Sequence, residues 1–227
     1  TPPPTTIELG LPFKKGKWLY ATSGHRDSRF ITEGKSSYAQ RYAIDWVLLD
    51  NDGSYAIGDK TLNKNWTTYG VEVLAVADGI VIDVKDGIIE NIPLSTERAV
   101  PISRETIAGN YIVLDIGNGV SAVYAHLIPG SLKVKIDQQV KKGQVIALLG
   151  NSGNSDAPHL HFHLETKSVA TLGGEGIPYY FSEFNQLIKY GDEEIDKVFD
   201  QDKIQLKDVI PSKRHNELPV GNGIIAF

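Results

Sequence analysis

Apolar residues in this chain recur at every second position or in short unbroken runs, and both patterns belong to strands. The segments RYAIDWVLL (41–49), VEVLAVADGIVIDVKDG (71–87), NYIVLDIGNGVSAVYAHL (110–127), QQVKKGQVIALLG (138–150) and HLHFHLE (159–165) are rich in Val, Ile and Tyr. GNG at 117–119 predicts a tight hairpin turn, and ADG (77–79) and KKG (141–143) break their runs in the same way. The polar stretches 50–70 and 88–109 are longer than ordinary connections, which points to functional or inserted loops. YYFSEFNQLIKY (179–190) predicts a helix with Ser182 as N-cap. Residues 191–208 are acidic and weakly periodic, as expected of a solvated surface segment, and the tail ELPVGNGIIAF offers a last strand. The Pro/Thr-rich start reads as an extended linker or a trimmed mature end over 1–15. The expected fold class is all-β: one domain over 16–227, with its core in 40–165, built on antiparallel sheets with long loops and a short C-terminal helix.

Composition narrows the function. A length of 227 residues with 41% hydrophobic and 22% charged residues suits a single domain with a buried core. The net charge of −5 argues against a nucleic-acid binder that relies on a basic surface. No apolar run approaches the roughly 20 residues that a transmembrane helix needs. Cysteine is absent, so any metal site must use His, Asp or Glu. That absence fits either side of a membrane, and the oligomeric state is left open.

Half of the six histidines fall in one stretch, PHLHFHL (158–164). On a strand, His159, His161 and His163 share one face, with Cα atoms roughly 6.5–7 Å apart, while Leu160, Phe162 and Leu164 share the other. A lone histidine there would be no more than the polar side of a half-buried strand. Three in alternation after the turn-forming GNSGNSDAP point to a site. Competing signals are weak. There is no HExxH helix and no GxxxxGK[ST] loop, GNSGNS is not a nucleophile elbow, and DNDG (50–53) lacks the ligand pattern of a calcium loop.

Asp45 in YAIDW, then YAHL (124–127), GNSG (150–153) and HLHF (159–162), follow one another as the blocks of the M23 zinc metallopeptidases do. From about residue 40 to 165 the chain resembles that family, the lysostaphin-like or LytM-like enzymes. HR…AQRYAIDW and the ELP…F tail resemble a group of M23-like bacterial proteins and extend the likeness over most of the chain. The resemblance implies a β-sandwich of the duplicated-hybrid-motif kind and one zinc ion per chain. It implies Asp45 and His161 as ligands, and His126 and His159 as the catalytic pair beside them. The implied substrate is peptide in bacterial peptidoglycan, and the implied location is extracytoplasmic, periplasmic or secreted.

One position departs from the pattern. The family's first ligand lies four residues before the Asp, and here that residue is Arg41, which offers no lone pair to a metal. Either the site is degenerate or another histidine supplies the third bond, and His25 in SGHRDS is the best candidate. Arg41 would then serve as a bidentate partner for a carboxylate near the site or in the substrate groove. His163 exceeds the family pattern and is read as a supporting or groove-lining residue, or a plain surface one. Two functions follow from different classes: a zinc endopeptidase, or a non-catalytic relative that binds cell wall or regulates another hydrolase. The position of His25 separates them.

Overall fold

The computed structural model describes residues 6–32, 35–167, 172–201 and 203–227. The first half of the chain contributes β1 (Ile7–Glu8), β2 (Lys17–Ala21), β3 (Phe30–Thr32), β4 (Lys35–Ser37), β5 (Ile44–Leu49), β6 (Glu72–Leu74) and β7 (Gly79–Lys85). The central hairpin is β8 (Asn110–Gly117) and β9 (Val120–Leu127), followed by β10 (Gln139–Val140), β11 (Val145–Leu148) and β12 (Leu160–Thr166). The C-terminal part adds β13 (Tyr179–Tyr190), the one-turn helix α1 (Asp192–Ile195), β14 (Ser212–Glu217) and β15 (Asn222–Ala226). Eleven strands form one sheet in the order β1-β13-β15-β2-β5-β12-β9-β8-β7-β10, with β14 also on β13. Among the described residues, only its β1–β13 pairing is parallel.

The two faces of this sheet explain the fold. On one face Leu160, Phe162 and Leu164 join Ile44, Trp46, Tyr124, Ile112 and Tyr20, all fully buried, over the small β6–β11 pair with Val73 and Ile146. Burying a side chain such as Phe162 contributes about 1.5–3 kcal/mol. On the other face Leu19, Val47, Leu49 and Ile224 pack under Tyr55, Trp66, Val198 and Ile204. That cover stops short of the histidines, leaving a cleft of about 600 Å³.

Several sequence expectations hold in kind. GNG closes the β8–β9 hairpin with Asn118 at φ 54° and Gly119 at φ 75°, the left-handed pair that a two-residue turn requires. The predicted helix over 179–190 is instead the strand β13. Its register with β14, β15 and β1 satisfies the backbone from both sides, and Tyr179, Phe181 and Phe184 enter the core. Ser182 therefore caps nothing. The aromatic residues favour a pleated surface, and a bulge between Gln186 and Ile188 shifts the alternation partway along, which gives the strand its mixed period. The one-turn helix α1 follows β13 and lies outside the predicted helical segment. Residues 191–208 are less solvated than their charge suggests, because Ile195, Val198 and Ile204 are buried. Near the start of the chain Ile7–Glu8 pairs with β13, and Leu9 and Phe13 are buried, so the core takes in residues whose composition reads as linker.

Candidate metal centre

Strand register brings the first two groups together. Asp45 on β5 lies directly opposite His161 on β12 and opposite Ala21 on β2. Just beyond Ala21 the chain turns, and this turn swings His25 over the sheet. The turn is held by Asn222, whose Oδ1 accepts from the Thr22 N–H at 3.2 Å and from the Ser23 hydroxyl at 3.1 Å. His25 Nε2 sits 2.8 Å from Asp45 Oδ2, and His161 Nδ1 sits 2.9 Å from Asp45 Oδ1. His25, Asp45 and His161 offer ligand atoms that all lie within 4.8 Å of one another.

His126 reaches the site by breaking the strand rule. Val123 and Ala125 line the cleft while Tyr124 and Leu127 are in the core, so simple alternation would send His126 inward. Its φ of 64° departs from strand geometry and turns the imidazole into the cleft beside Ala125. A non-glycine residue in that region is strained by roughly 1–3 kcal/mol, as functional residues often are. Its Nδ1 meets the Ser152 carbonyl at 2.8 Å. The loop that carries Ser152 fits closely against Gly109 (φ 62°), where an added Cβ would lie 2.4 Å from the Ser152 oxygen. His159 is fixed in a similar way, with Nδ1 at 2.9 Å from the Ala157 carbonyl and 3.2 Å from the Ser155 hydroxyl. Asn91, buried in the 88–109 loop, donates to the carbonyls of Asn151, Gly153 and Ser155 and so ties that loop to the same turn.

Electrostatics follow from this crowding. Burial pushes the Asp45 carboxyl up, but the charges of His25 and His159 and hydrogen bonds from His161 and His25 together hold it well below the usual carboxylate range. Burial lowers His25, and the charge of Asp45 with hydrogen bonding of His25 to Asp45 and Gln40 more than reverses this. His126 is held well below the ordinary histidine value by burial first and by His159 and His161 next. Burial lowers His161 despite its bond to Asp45, and drives His163 well down.

His163 is fully buried, with Nδ1 at 3.0 Å from His161 Nε2 and its own Nε2 without a hydrogen-bond partner. It is not a surface residue. Arg41 is exposed in the turn before β5, its guanidinium 4.7 Å over the Tyr38 ring, and it does not line the cleft. The residue that the same turn presents to the site is Gln40, whose amide nitrogen lies 3.3 Å from His161 Nε2. No periodicity in the sequence marks Gln40, Ser155 or Asn91; Gln40 and Ser155 lie beside the Asp45 and GNSG blocks, and Asn91 lies within the long 88–109 loop. Both long polar loops line the cleft, through Trp66 from one and Leu94, Ile107 and Ala108 from the other, and Phe199 closes the wall after α1.

Two residues beyond His163 on the same face, Glu165 is buried and accepts backbone N–H groups of Leu172 and Gly174. Burial raises its carboxyl from 4.5 to about 7, with those N–H bonds offsetting part of the rise. The folded protein therefore holds a proton that the unfolded chain has already released, and stability falls as pH rises through that window. By pH 8 the cost is about 3 kcal/mol. Glu165→Gln keeps an acceptor for both N–H groups. Thermal melts should show it several degrees more stable than the parent at pH 8 and no more stable at pH 4.5, whereas an equal offset at both pH values would contradict this origin.

Residues 65–171 match the model of peptidase family M23. The matched segment holds His126, His159, His161 and His163 and begins after His25 and Asp45, which the sheet register brings to it. The peptidoglycan DD-endopeptidase ShyA of Vibrio cholerae serotype O1 is 29% identical over 164 residues, 67% of this chain and 33% of that protein. The glycyl-glycine endopeptidase ALE-1 of Staphylococcus capitis is 44% identical over 63 residues, 27% of this chain and 17% of that protein. The chain thus spans a third or less of the length of these relatives. Among solved structures, the M23 metalloprotease pseudoalterin from the deep sea aligns with a TM-score of 0.43 and 18% identity, covering 83% of this chain and 84% of that one. Among the described residues no helix is long and apolar enough to cross a membrane.

Proposed function

We propose that the chain is a zinc-dependent endopeptidase that cleaves peptide bonds in bacterial peptidoglycan, acting outside the cytoplasm where that polymer lies. The observation that carries this reading is the convergence of His25, Asp45 and His161. Two imidazoles and a carboxylate form a donor set suited to catalytic zinc, which keeps its fourth position for water.

A zinc ion held by these three residues would supply a Lewis acid for the peptide carbonyl and bring a water's pKa towards about 7. His126 and His159 act as the non-ligating pair. Each gives its Nδ1–H to a backbone carbonyl, of Ser152 and Ala157 respectively, which leaves Nε2 as the basic nitrogen. Their ring centroids are 4.7 Å apart, so both reach one bound peptide link. One takes the proton of the attacking water on Nε2 and passes it to the departing amine, and the other, when it carries a proton on Nε2, donates to the oxyanion. His163 supports His161. When His161 Nδ1 is a ligand, Nε2 carries the proton and donates it to His163 Nδ1, which fixes the ring. The cleft walls of Trp66, Leu94 and Phe199 form the groove for the peptide.

Digestion of purified peptidoglycan with mass analysis of the released material tests the reading. Soluble peptide-linked fragments should appear with zinc, disappear with a chelator and return when zinc is restored. Release that is indifferent to the chelator, or none from zinc-loaded protein, would contradict it.

A further inference from the structure

We propose that Gln40 is a positioning residue that holds His161 in the orientation that binds zinc; the inference rests on the metal centre proposed above. Gln40 is half-buried and lines the cleft together with His25 and His161, and its amide nitrogen is 3.3 Å from His161 Nε2. The turn explains why this residue does so. Arg41 N–H donates to the Tyr38 carbonyl at 3.1 Å and Ala43 N–H donates to the Gln40 carbonyl at 2.9 Å, and the turn closed in this way sends Arg41 outward and Gln40 inward.

The chemistry suits an amide. Once His25 Nε2 and His161 Nδ1 are given to a metal as lone pairs, each ring keeps one N–H, on Nδ1 and Nε2 respectively. A carbonyl oxygen has two lone pairs, and rotating the amide by half a turn exchanges its oxygen and nitrogen at no steric cost. Oε1 then accepts from His161 Nε2–H, which His163 Nδ1 also faces. An acceptor at this point favours the His161 tautomer that can ligate through Nδ1. A metal-bound histidine typically loses 10–100-fold in metal affinity when such a partner is removed.

The test is a zinc competition titration against a chromophoric chelator, run on the full chain beside melting of the metal-free protein. Gln40→Leu and Gln40→Ser should each melt near the parent temperature without metal and bind zinc roughly 10–100-fold more weakly. Gln40→Glu keeps an acceptor and should restore affinity to within a few-fold of the parent, a rescue that a purely structural role would not give. Parent-like affinity in Gln40→Leu and Gln40→Ser overturns the inference alone. A parent chain that binds no zinc overturns the metal centre and this inference with it.

Discussion

Asp45→Asn is expected to take bound zinc from about one per chain to none, read by elemental mass spectrometry after dialysis, and to abolish peptide release with it. The side chain keeps its shape and can still meet His25 and His161, so the fold should survive. What is lost is the one negative charge among His25, Asp45 and His161. Several histidines crowd this single carboxylate, and their attraction already outweighs the cost of burying it. A dication placed among neutral imidazoles alone would lack that compensation. His161→Ala should give the same loss of metal. His25→Ala should lower it sharply, because His25 Nε2 occupies the third direction around Asp45 at 2.8 Å. Full zinc in Asp45→Asn or His161→Ala would contradict the ligand assignment. Full zinc in His25→Ala would return the third ligand to another group.

The next largest effect separates binding from chemistry. His126→Ala and His159→Ala should retain about one zinc while hydrolysis falls by roughly 10²–10⁴-fold, the usual contribution of a positioned acid or base. Both rings are anchored through Nδ1 to backbone carbonyls, so neither is held by the metal set itself. Loss of zinc from either variant would contradict the division between ligands and acid/base residues. His126→Ala leaves a β-carbon in the left-handed region, and His126→Gly, free of that strain, should be catalytically equivalent to it.

Much of the site was legible because strands have a period of two. The alternation in HLHFHLE placed His159, His161 and His163 on one face, and the β5–β12 register then set Asp45 opposite His161. Other features depend on backbone events that a residue pattern does not encode. His126 enters the cleft through a positive φ, and Gln40 rather than Arg41 faces inward because of hydrogen bonding within one turn. His25 depends on a turn anchored by Asn222, nearly 200 residues away in sequence. The sequence of β13 reads as helix because a bulge scrambles its alternation, and its partners β14 and β15 decide the matter. The wall made by Phe199 has no sequence signal because acidic neighbours hide the buried Ile195 and Val198.

The central claim is that His25 completes, with Asp45 and His161, a metal centre that Arg41 cannot. Anomalous diffraction at the zinc edge from crystals of metal-loaded protein tests it most directly. The account predicts a single strong peak about 2.0–2.2 Å from His25 Nε2, an Asp45 oxygen and His161 Nδ1. A peak bonded to other residues, or a zinc at Asp45 and His161 with His25 turned away, would contradict it.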